Sequence, residues 1–354
     1  MKHLSMNLAL LTASIGLVFA GSAYAQPVDD QYAAEAEAAE EVAIATIAEV
    51  EAALAEAAIP AGAKQDYQPN PAIWRLSDED TTIYLFGTVH ILPPGLEWRT
   101  PQLEAIVEQV DELVLETSDK DAQTQMVESM SKVVDAMVDR VPTSKKMSPQ
   151  NGKKWLKLGI MTGNEPEVFD NMPLIMSMLG VGMSMSLMEG SMDEFGVETV
   201  LSAQFEELGK PVGSIENAAE VMFALMDIDE DIMITALEKD LDAWDGKALE
   251  TLSFESSDGA AELAEPAGYA AFEMEHSWAK GEVVLEAMFD DSPLGLAMNK
   301  VLLEDRNRAW AQWLDNRLEK PGKILLAVGA GHFEGPDSVL LMLEERGLAA
   351  ERIN

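Results

Sequence analysis

Two segments near opposite ends of the chain share one pattern, in which an apolar run ends in Gly-x-x-His. They are Ile83-Tyr-Leu-Phe-Gly-Thr-Val-His90 and Ile324-Leu-Leu-Ala-Val-Gly-Ala-Gly-His332. β-Branched and aromatic residues favour buried strands, and the glycines Gly87 and Gly329 allow backbone or ligand to approach closely. Ligands of open α/β sheets bind where strands end. We therefore predict two buried strands, each ending in a histidine at a ligand-binding edge.

The histidines are few enough for this repeat to be informative. The chain has His3, His90, His276 and His332, and His3 falls in a predicted signal peptide. A single Gly-x-x-His arises easily by chance, so the alternative is two hydrogen-bonded histidines with a purely structural role. His276 lies in no motif and is predicted to be a surface residue.

The composition of the chain argues against several kinds of partner and of catalytic site. The 354-residue chain has a net charge of −39, which disfavours nucleic acid and anionic membrane surfaces as partners. It contains no cysteine, so disulfides, thiolate zinc sites and a cysteine nucleophile are excluded. Any metal site must therefore use histidine and carboxylate ligands.

The N-terminal region divides into two parts before the predicted folded domain. Residues 1–25 have a positive start, an apolar run and an Ala23-Tyr-Ala25 cleavage site, which predicts a signal peptide and export to the periplasm or beyond. The apolar run is too short to predict a membrane span, and none is expected in the mature chain. Residues 26–71 form an acidic, alanine-rich arm and a proline-containing linker, and residues 72–354 form the domain.

Glutamates follow two further predicted strands. Glu112-Leu-Val-Leu-Glu116 and Lys210-Pro-Val-Gly-Ser-Ile-Glu216 are short apolar runs that end in a carboxylate. If these strands neighbour the histidine strands, the carboxylates and imidazoles point into one crevice. The alternative for Glu116 is a surface glutamate at a strand exit.

Helices are predicted between the strands. Thr100-Pro101 predicts a capped helix start, and Asn217 predicts another. The methionine-rich run Asn171–Met188 is predicted to be a buried helical hairpin, with a hydrophobic substrate groove as the alternative. The last long helix carries Arg306 and Asn307.

The ordered motifs resemble the TraB/PrgY/GumN family, which includes the Tiki metalloproteases, and more distantly the ChaN-like and erythromycin-esterase-like proteins. The resemblance covers about residue 72 to the C-terminus; besides the two Gly-x-x-His motifs, it rests on Leu113–Glu116, Gly196–Glu198, Gly209–Val212 with Ile215-Glu216, and Arg306-Asn307. It implies an α/β (or α+β) fold with a mixed central sheet and many helices. Two related halves would each supply one Gly-x-x-His.

For Tiki-like members the resemblance implies divalent-metal-dependent proteolysis. The metal ligands would be His90, His332 and Glu116, and Glu116 or Glu216 would be the catalytic glutamate. Such an N/O ligand set suits Mn²⁺, Co²⁺, Zn²⁺ or Fe²⁺. Arg306 would stabilise an oxyanion or orient a carboxylate, the alternative being an ordinary helix salt bridge.

These expectations lead to two hypotheses for function. The first is an exported metal-dependent hydrolase, peptidase-like, that acts on a peptide or another small carbonyl substrate. The second is a non-catalytic periplasmic protein that sequesters a peptide, signal molecule or metal complex in the same crevice. A metal-storage or haem-iron protein would require a cofactor for which the sequence carries no motif.

Overall fold

The computed structural model describes residues 59–138, 140–188, 190–249, 252 and 272–354. The predicted signal peptide (residues 1–25) and most of the predicted acidic arm (residues 26–58) lie outside the described residues.

The described residues are organised around one six-stranded sheet with the order β4-β3-β5-β2-β1-β6. The four strands β4, β3, β5 and β2 are parallel, whereas β1 and β6 extend the sheet in antiparallel pairings. The predicted mixed sheet of an α/β fold is therefore confirmed. The strand bounds are β1 Ile73–Ser77, β2 Thr81–Thr88, β3 Glu112–Leu115, β4 Val212–Ser214, β5 Gly322–Gly329 and β6 Glu351–Arg352.

The sheet order places both Gly-x-x-His motifs side by side. Strands β2 and β5 pair in parallel over their whole length, with Gly87 opposite Val328 and Thr88 opposite Gly329. Because the carboxyl ends of parallel strands share one edge of a sheet, the two motifs leave the sheet at the same place. Strand β3 lies on the other side of β5, and β4 lies beyond β3, so Glu116 and Glu216 follow at the same edge.

Helices surround this sheet. Their bounds are α1 Pro101–Gln109, α2 Asp119–Met137, α3 Pro149–Met161, α4 Pro166–Asn171, α5 Leu174–Met188, α6 Val197–Glu207, α7 Ala218–Met226, α8 Glu230–Ala243, α9 Glu273–Ala279, α10 Pro293–Asn299, α11 Asp305–Leu318 and α12 Val339–Glu345. Both predicted caps are confirmed: the Thr100 hydroxyl accepts from the Leu103 N–H, and the Asn217 side chain accepts from the N–H groups of Ala219 and Glu220.

The methionine-rich segment is buried but is not a hairpin. Pro173 breaks the chain after α4, and α5 then runs as one helix of 15 residues whose inward positions belong to a large helical core. The predicted burial is confirmed, and the predicted hairpin is wrong because Gly180 and Gly182 are accommodated inside a continuous helix. Within the described part of the chain, no helix has both the length and the apolarity needed to cross a membrane.

The prediction that His276 lies on the surface is wrong, since the residue is fully buried. Its Nε2 lies 2.7 Å from the carbonyl oxygen of Gly62, and its Nδ1 lies 2.6 Å from the hydroxyl of Tyr67. A carbonyl can only accept, so Nε2 carries a proton and donates to Gly62. Residues just before the predicted domain thus pack against it, and the sequence around His276 alone does not indicate these partners.

Candidate active site

The two motif histidines lie at the shared strand edge together with a buried ionic cluster. His90, Glu116, Arg306 and His332 are each at most 7% exposed, and the fully buried Asn307 lies beside them. His90 and His332 are close enough for the charge of one to influence the pKa of the other. The structure therefore brings together the predicted residues from four separate parts of the chain.

His90 is held by Glu198, at the start of helix α6. Its Nδ1 lies 2.8 Å from Oε1 of Glu198, and the Thr88 hydroxyl donates to the same carboxylate oxygen. Because an ionised carboxylate can only accept, Nδ1 of His90 carries a proton, so Nε2 is the nitrogen that lacks a proton when the ring is neutral.

Gly196 makes this approach of helix α6 possible. A Cβ at Gly196 would lie 1.9 Å from the carbonyl oxygen of His90, closer than atoms can approach. The next residue, Val197, donates its N–H to the carbonyl of Val89 at 3.0 Å. Glycine thus allows the helix start to contact the backbone of the first motif, and Glu198 can then reach the imidazole.

His332 is held in the same manner by Asn307. Its Nδ1 lies 2.6 Å from Oδ1 of Asn307, whose amide group donates at 2.8 Å to the carbonyl of Asp337. That second contact fixes the amide so that its oxygen faces the ring, and Nδ1 of His332 is therefore the protonated nitrogen. The ring of Trp310, with its centroid 4.1 Å from that of His332, packs against the imidazole.

Both histidines consequently present Nε2 to the same buried region. Neither His90 Nε2 nor His332 Nε2 has a hydrogen-bond partner among the described residues, although both atoms are buried. The carboxylate oxygen Oε1 of Glu116 lies 3.6 Å from Nε2 of His332, too far for a hydrogen bond. Buried polar atoms are normally satisfied, so a pair of unpartnered nitrogens indicates a place for a ligand.

Arg306 joins the two glutamates that follow β3 and β4. Its Nη2 donates to Oε2 of Glu116 and, at 2.7 Å, to Oε1 of Glu216, while its Nε donates to Oε2 of Glu216 at 2.9 Å. Trp310 Nε1 donates to Oε2 of Glu216 at 2.9 Å. The remaining nitrogen of Arg306, Nη1, donates to the carbonyl of Leu302.

A π-helical turn, Lys300–Glu304, precedes Arg306 and contains Leu302, whose carbonyl accepts from Nη1 of Arg306. In that turn the N–H of Asp305 donates to the carbonyl of Lys300, five residues earlier. Such a turn changes the backbone pairing locally and often occurs at functional sites. Here the guanidinium of Arg306 itself binds the Leu302 carbonyl, one helical turn earlier.

The glycines of the two motifs also help to position the groups of the site. The N–H of Gly329 donates to Oε1 of Glu116 at 2.8 Å, which fixes that carboxylate against the second motif. A Cβ at Gly87 would lie 3.0 Å from Cα of Ala330, so a glycine at this position lets the two motifs approach closely.

The two imidazoles have opposite pKa shifts. Burial lowers the pKa of His90, but the adjacent Glu198 carboxylate outweighs it and raises the pKa above the usual value. Burial and the nearby Arg306 guanidinium lower the pKa of His332 well below its usual value, and Glu116 only partly opposes them. His332 is therefore neutral at neutral pH, as a metal ligand or proton acceptor must be.

The two glutamates bound to Arg306 also differ. Burial raises the pKa of Glu116, but Arg306, the two histidines and the Gly329 N–H together hold it below the usual range. Burial, reinforced by the charge of Glu116, raises the pKa of Glu216 despite its hydrogen bonds from Arg306 and Trp310. Two neighbouring carboxyl groups with opposite shifts are typical of sites that move protons.

The residues that could hold a metal ion are the two histidines, through their unpartnered Nε2 atoms. Within the described ranges, no group of three or more histidine, aspartate or glutamate side chains is arranged at metal-binding distance. Glu116 is the carboxylate best placed to add a third ligand, but its oxygens accept from Arg306 and Gly329. Glu116 would have to exchange one of these hydrogen bonds to join the histidines.

The residues predicted from the sequence therefore meet in one site: His90, His332, Glu116, Glu216, Arg306, Asn307, Gly87 and Gly329. Sequence reasoning did not identify Glu198 as the partner of His90, nor did it find Thr88 and Trp310. The signal for Glu198 was present in Gly196-Val-Glu198, a glycine followed by a carboxylate in the first turn of a helix. For Trp310 the signal is its position one turn after Arg306 on the same helix.

Comparison with known proteins supports the family resemblance of the motifs. No curated protein and no solved structure matches the chain. Residues 72–352 match the TraB/PrgY/gumN family. This region contains the whole sheet and every residue of the site. The chain therefore belongs to the TraB/PrgY/GumN family.

Proposed function

We propose that the protein is an exported metal-dependent hydrolase, peptidase-like, that acts on a peptide or another small carbonyl substrate. The observation that carries the proposal is the matched pair of buried imidazoles. Each is anchored through Nδ1 by an oxygen acceptor, Glu198 or Asn307, and each leaves Nε2 without a partner among the described residues. Histidine ligands of metals are commonly oriented by such an acceptor on their other nitrogen.

The residues present fit a divalent metal ion in their chemistry. His90 and His332 would hold it through Nε2, with Glu116 as the carboxylate ligand. Imidazole and carboxylate ligands suit Mn²⁺, Co²⁺ or Zn²⁺. Such an ion, when bound with an open position, lowers the pKa of bound water and polarises a carbonyl group.

Glu216 and Arg306 would complete the catalytic groups. Glu216 is the candidate for proton transfer, because its raised pKa brings it closer to neutrality than an ordinary glutamate. All three nitrogens of Arg306 are engaged by Glu116, Glu216 and Leu302, so we assign it to orienting the two carboxylates rather than to binding an oxyanion.

Metal titration of the full mature chain tests the proposal. After removal of bound metal, Mn²⁺, Co²⁺ and Zn²⁺ are titrated by calorimetry into the wild type and the His90→Ala/His332→Ala variant. We expect one ion per chain in the wild type and none in the variant. His276→Ala is the matched control, since it removes a fully buried histidine outside the site and should leave metal binding intact.

Hydrolysis is measured in parallel with a quenched-fluorescent peptide library. Turnover should disappear on chelation, return with one of the three metals, and be absent in His90→Ala protein that retains its fold. Unchanged hydrolysis in folded His90→Ala, or equal metal binding in the double variant and the wild type, would refute the proposal.

A non-catalytic binding protein is the second candidate. This candidate is favoured by the hydrogen bonds that Glu116 makes. Its two oxygens accept from Arg306 and Gly329, and neither is directed at a ligand that the histidines could also bind. Chelation separates the two candidates. A binding protein that recognises its ligand without metal retains it after chelation and shows no turnover, whereas a metallohydrolase loses an activity that it had.

A further inference from the structure

Helix α2 exposes a row of apolar side chains to solvent. Of its 19 residues, Val133 is the one that is buried. Four others lie three or four residues apart and are each between 39% and 69% exposed, namely Val127, Met130, Val134 and Met137. These four residues are called the α2 face. Val138 and Val141, just beyond the helix, are each 56% exposed and continue the apolar surface.

The helical geometry makes the α2 face continuous. At about 100° per residue, its four side chains fall within an arc of roughly 80° over three turns. Met126 and Val133 fall on the adjoining arc and pack against the helical core. One edge of the α2 face therefore borders the protein, and the other edge is free.

The stability of the helix itself does not explain these residues. Valine is a weaker helix former than the polar residues that usually occupy exposed helix positions, because its branched side chain loses rotamer freedom. Exposed apolar residues that are scattered singly need no explanation, whereas a contiguous row of them indicates an interaction surface. Apolar anchors at this spacing are typical of a helix that packs against another helix.

The free edge of the α2 face is acidic. Glu128 and Asp135 lie on it two turns apart, and both are exposed. In the part of the chain that the structure describes, neither is paired with a basic residue. Lys120, one turn after the start of the helix region and seven residues before Val127, is the basic residue closest to the end of this edge.

The other basic residues nearby are directed at the protein. The ammonium group of Lys132 lies 5.5 Å from the centroid of the Phe223 ring on α7. Arg140 and Lys146, which follow the helix, both pair with Glu230. The potential along the free edge is therefore set by Glu128 and Asp135, within a chain whose net charge is −39.

This charge selects among the surfaces that could cover the α2 face. A second copy of the chain brings the same acidic edge and the same net charge, residues 26–58 contain acidic but no basic residues, and an anionic lipid surface is repelled. A cationic partner is attracted instead, and complementary charge both accelerates its association and disfavours wrong partners. The methionines Met130 and Met137 can adapt to different apolar side chains.

We propose that the α2 face binds cationic amphipathic peptides in helical form. The apolar side of such a peptide would pack on the four residues of the α2 face, and its lysine or arginine side chains would lie beside Glu128 and Asp135. A peptide helix of about three to four turns matches the length of the face. The inference goes beyond the proposed hydrolase and does not depend on it, since the α2 face needs neither metal nor turnover to bind.

The first test uses three synthetic peptides of about 14 residues, roughly four helical turns. One contains leucine and lysine with all leucines on one helical side, the second has the same composition rearranged so that no side is apolar, and the third has glutamate in place of lysine. Binding to the full mature chain is measured by fluorescence anisotropy of labelled peptide at about 150 mM salt. We expect the first peptide to bind at least about tenfold more tightly than the second, and the third not to bind.

The apolar contact is located with Met130→Gln/Val134→Gln. Both substitutions are at exposed helix positions, so circular dichroism should show an unchanged fold. We expect binding of the leucine–lysine peptide to weaken about tenfold, because the apolar area buried on binding is lost. Val168→Gln is the matched control, an exposed valine on α4 that should leave the affinity unchanged.

The charge contact is located with Glu128→Gln/Asp135→Asn. This variant should bind the leucine–lysine peptide about fivefold more weakly at roughly 10 mM salt, and the difference should shrink at about 150 mM salt as the charges are screened. Glu206→Gln/Glu207→Gln changes the net charge by the same amount at two exposed positions of α6 and should have no such effect.

Two kinds of result would overturn the proposal. Equal affinity for the first and second peptides, or unchanged affinity in Met130→Gln/Val134→Gln, would mean that the peptide binds to acidic surface elsewhere. Sedimentation of the wild type as a dimer, or its flotation with lipid vesicles, that is abolished in Met130→Gln/Val134→Gln would assign the α2 face to a second copy or to a lipid surface instead.

Discussion

Replacing Arg306 by methionine is expected to lower the free energy of unfolding by roughly 3–5 kcal/mol, the usual cost of breaking a buried ion pair by removing one partner. Arg306 is 7% exposed and donates three hydrogen bonds to Glu116 and Glu216 and one to the Leu302 carbonyl. Methionine fills a similar volume but leaves two neighbouring carboxylates buried without a cation.

The destabilisation should depend on pH, and its sign follows from the glutamates. Without the guanidinium, burial and mutual repulsion raise the folded-state pKa of both Glu116 and Glu216 above the unfolded-state value. The folded variant then binds more protons than the unfolded chain between those values, so its stability increases as the pH falls through this window. The gap between wild type and variant should therefore be larger at about pH 8 than at about pH 5.5.

Urea denaturation followed by circular dichroism at these two pH values measures the effect. The matched control is Arg308→Met, two residues further along the same helix. It removes an exposed arginine that pairs with Glu304 at 2.9 Å and with Asp305 at 3.7 Å, and it should leave the denaturation midpoint unchanged. A loss of stability below about 1 kcal/mol in Arg306→Met, or a gap that does not change with pH, would refute the assignment of Arg306 as the buried counter-ion of both glutamates.

Three further predictions concern the residues around the two motifs. Gly196→Ala should lower the metal affinity measured by calorimetry and destabilise the fold by roughly 1–3 kcal/mol, because the added Cβ would overlap the His90 carbonyl oxygen. A variant with wild-type affinity and stability would contradict this close approach. Asn307→Ala should weaken metal binding by about 10–100-fold through loss of the acceptor that orients His332, and an unchanged affinity would show that the orientation is set by packing alone. Burial raises the pKa of Glu334 to about 7, so the wild type loses stability as the pH rises from the unfolded-state pKa towards 7. In urea denaturation, Glu334→Gln should therefore be more stable than the wild type at about pH 8, by at most about 3 kcal/mol, and equally stable below pH ~4.5. A difference in stability that does not vary with pH would contradict the raised pKa of Glu334.

Much of the local structure could be predicted from the sequence because its causes are local. The β-branched and aromatic runs form strands β2 and β5, and the side chains of Thr100 and Asn217 cap the helices that they precede. Prediction failed where one local sequence pattern is compatible with two different structures. The methionine-rich run Asn171–Met188 was predicted to be a helical hairpin, but from Leu174 onward it forms one continuous helix, α5, most of whose residues are buried.

The sequence identified most residues of the candidate site but few of the contacts between them. His90, His332, Glu116 and Glu216 each follow a strand, and that position alone marks them. The pairing of Glu198 with His90 was not predicted. The sequence Gly196-Val-Glu198 marks a carboxylate in the first turn of a helix, but only the tight packing at Gly196 brings that carboxylate to the imidazole.

The sequence by itself determined which residues stand at strand ends, which residue types are available for chemistry, and that cysteine takes no part. Only the tertiary structure decided the strand order, which places β5 between β2 and β3 and so brings both histidines and both glutamates to one edge. It also decided that Arg306 is shared between the two glutamates and that, among the described residues, both Nε2 atoms are left without a partner. The physical reason is that strand and cap preferences act between near neighbours, whereas strand order, burial and pKa depend on packing between segments that are distant in sequence.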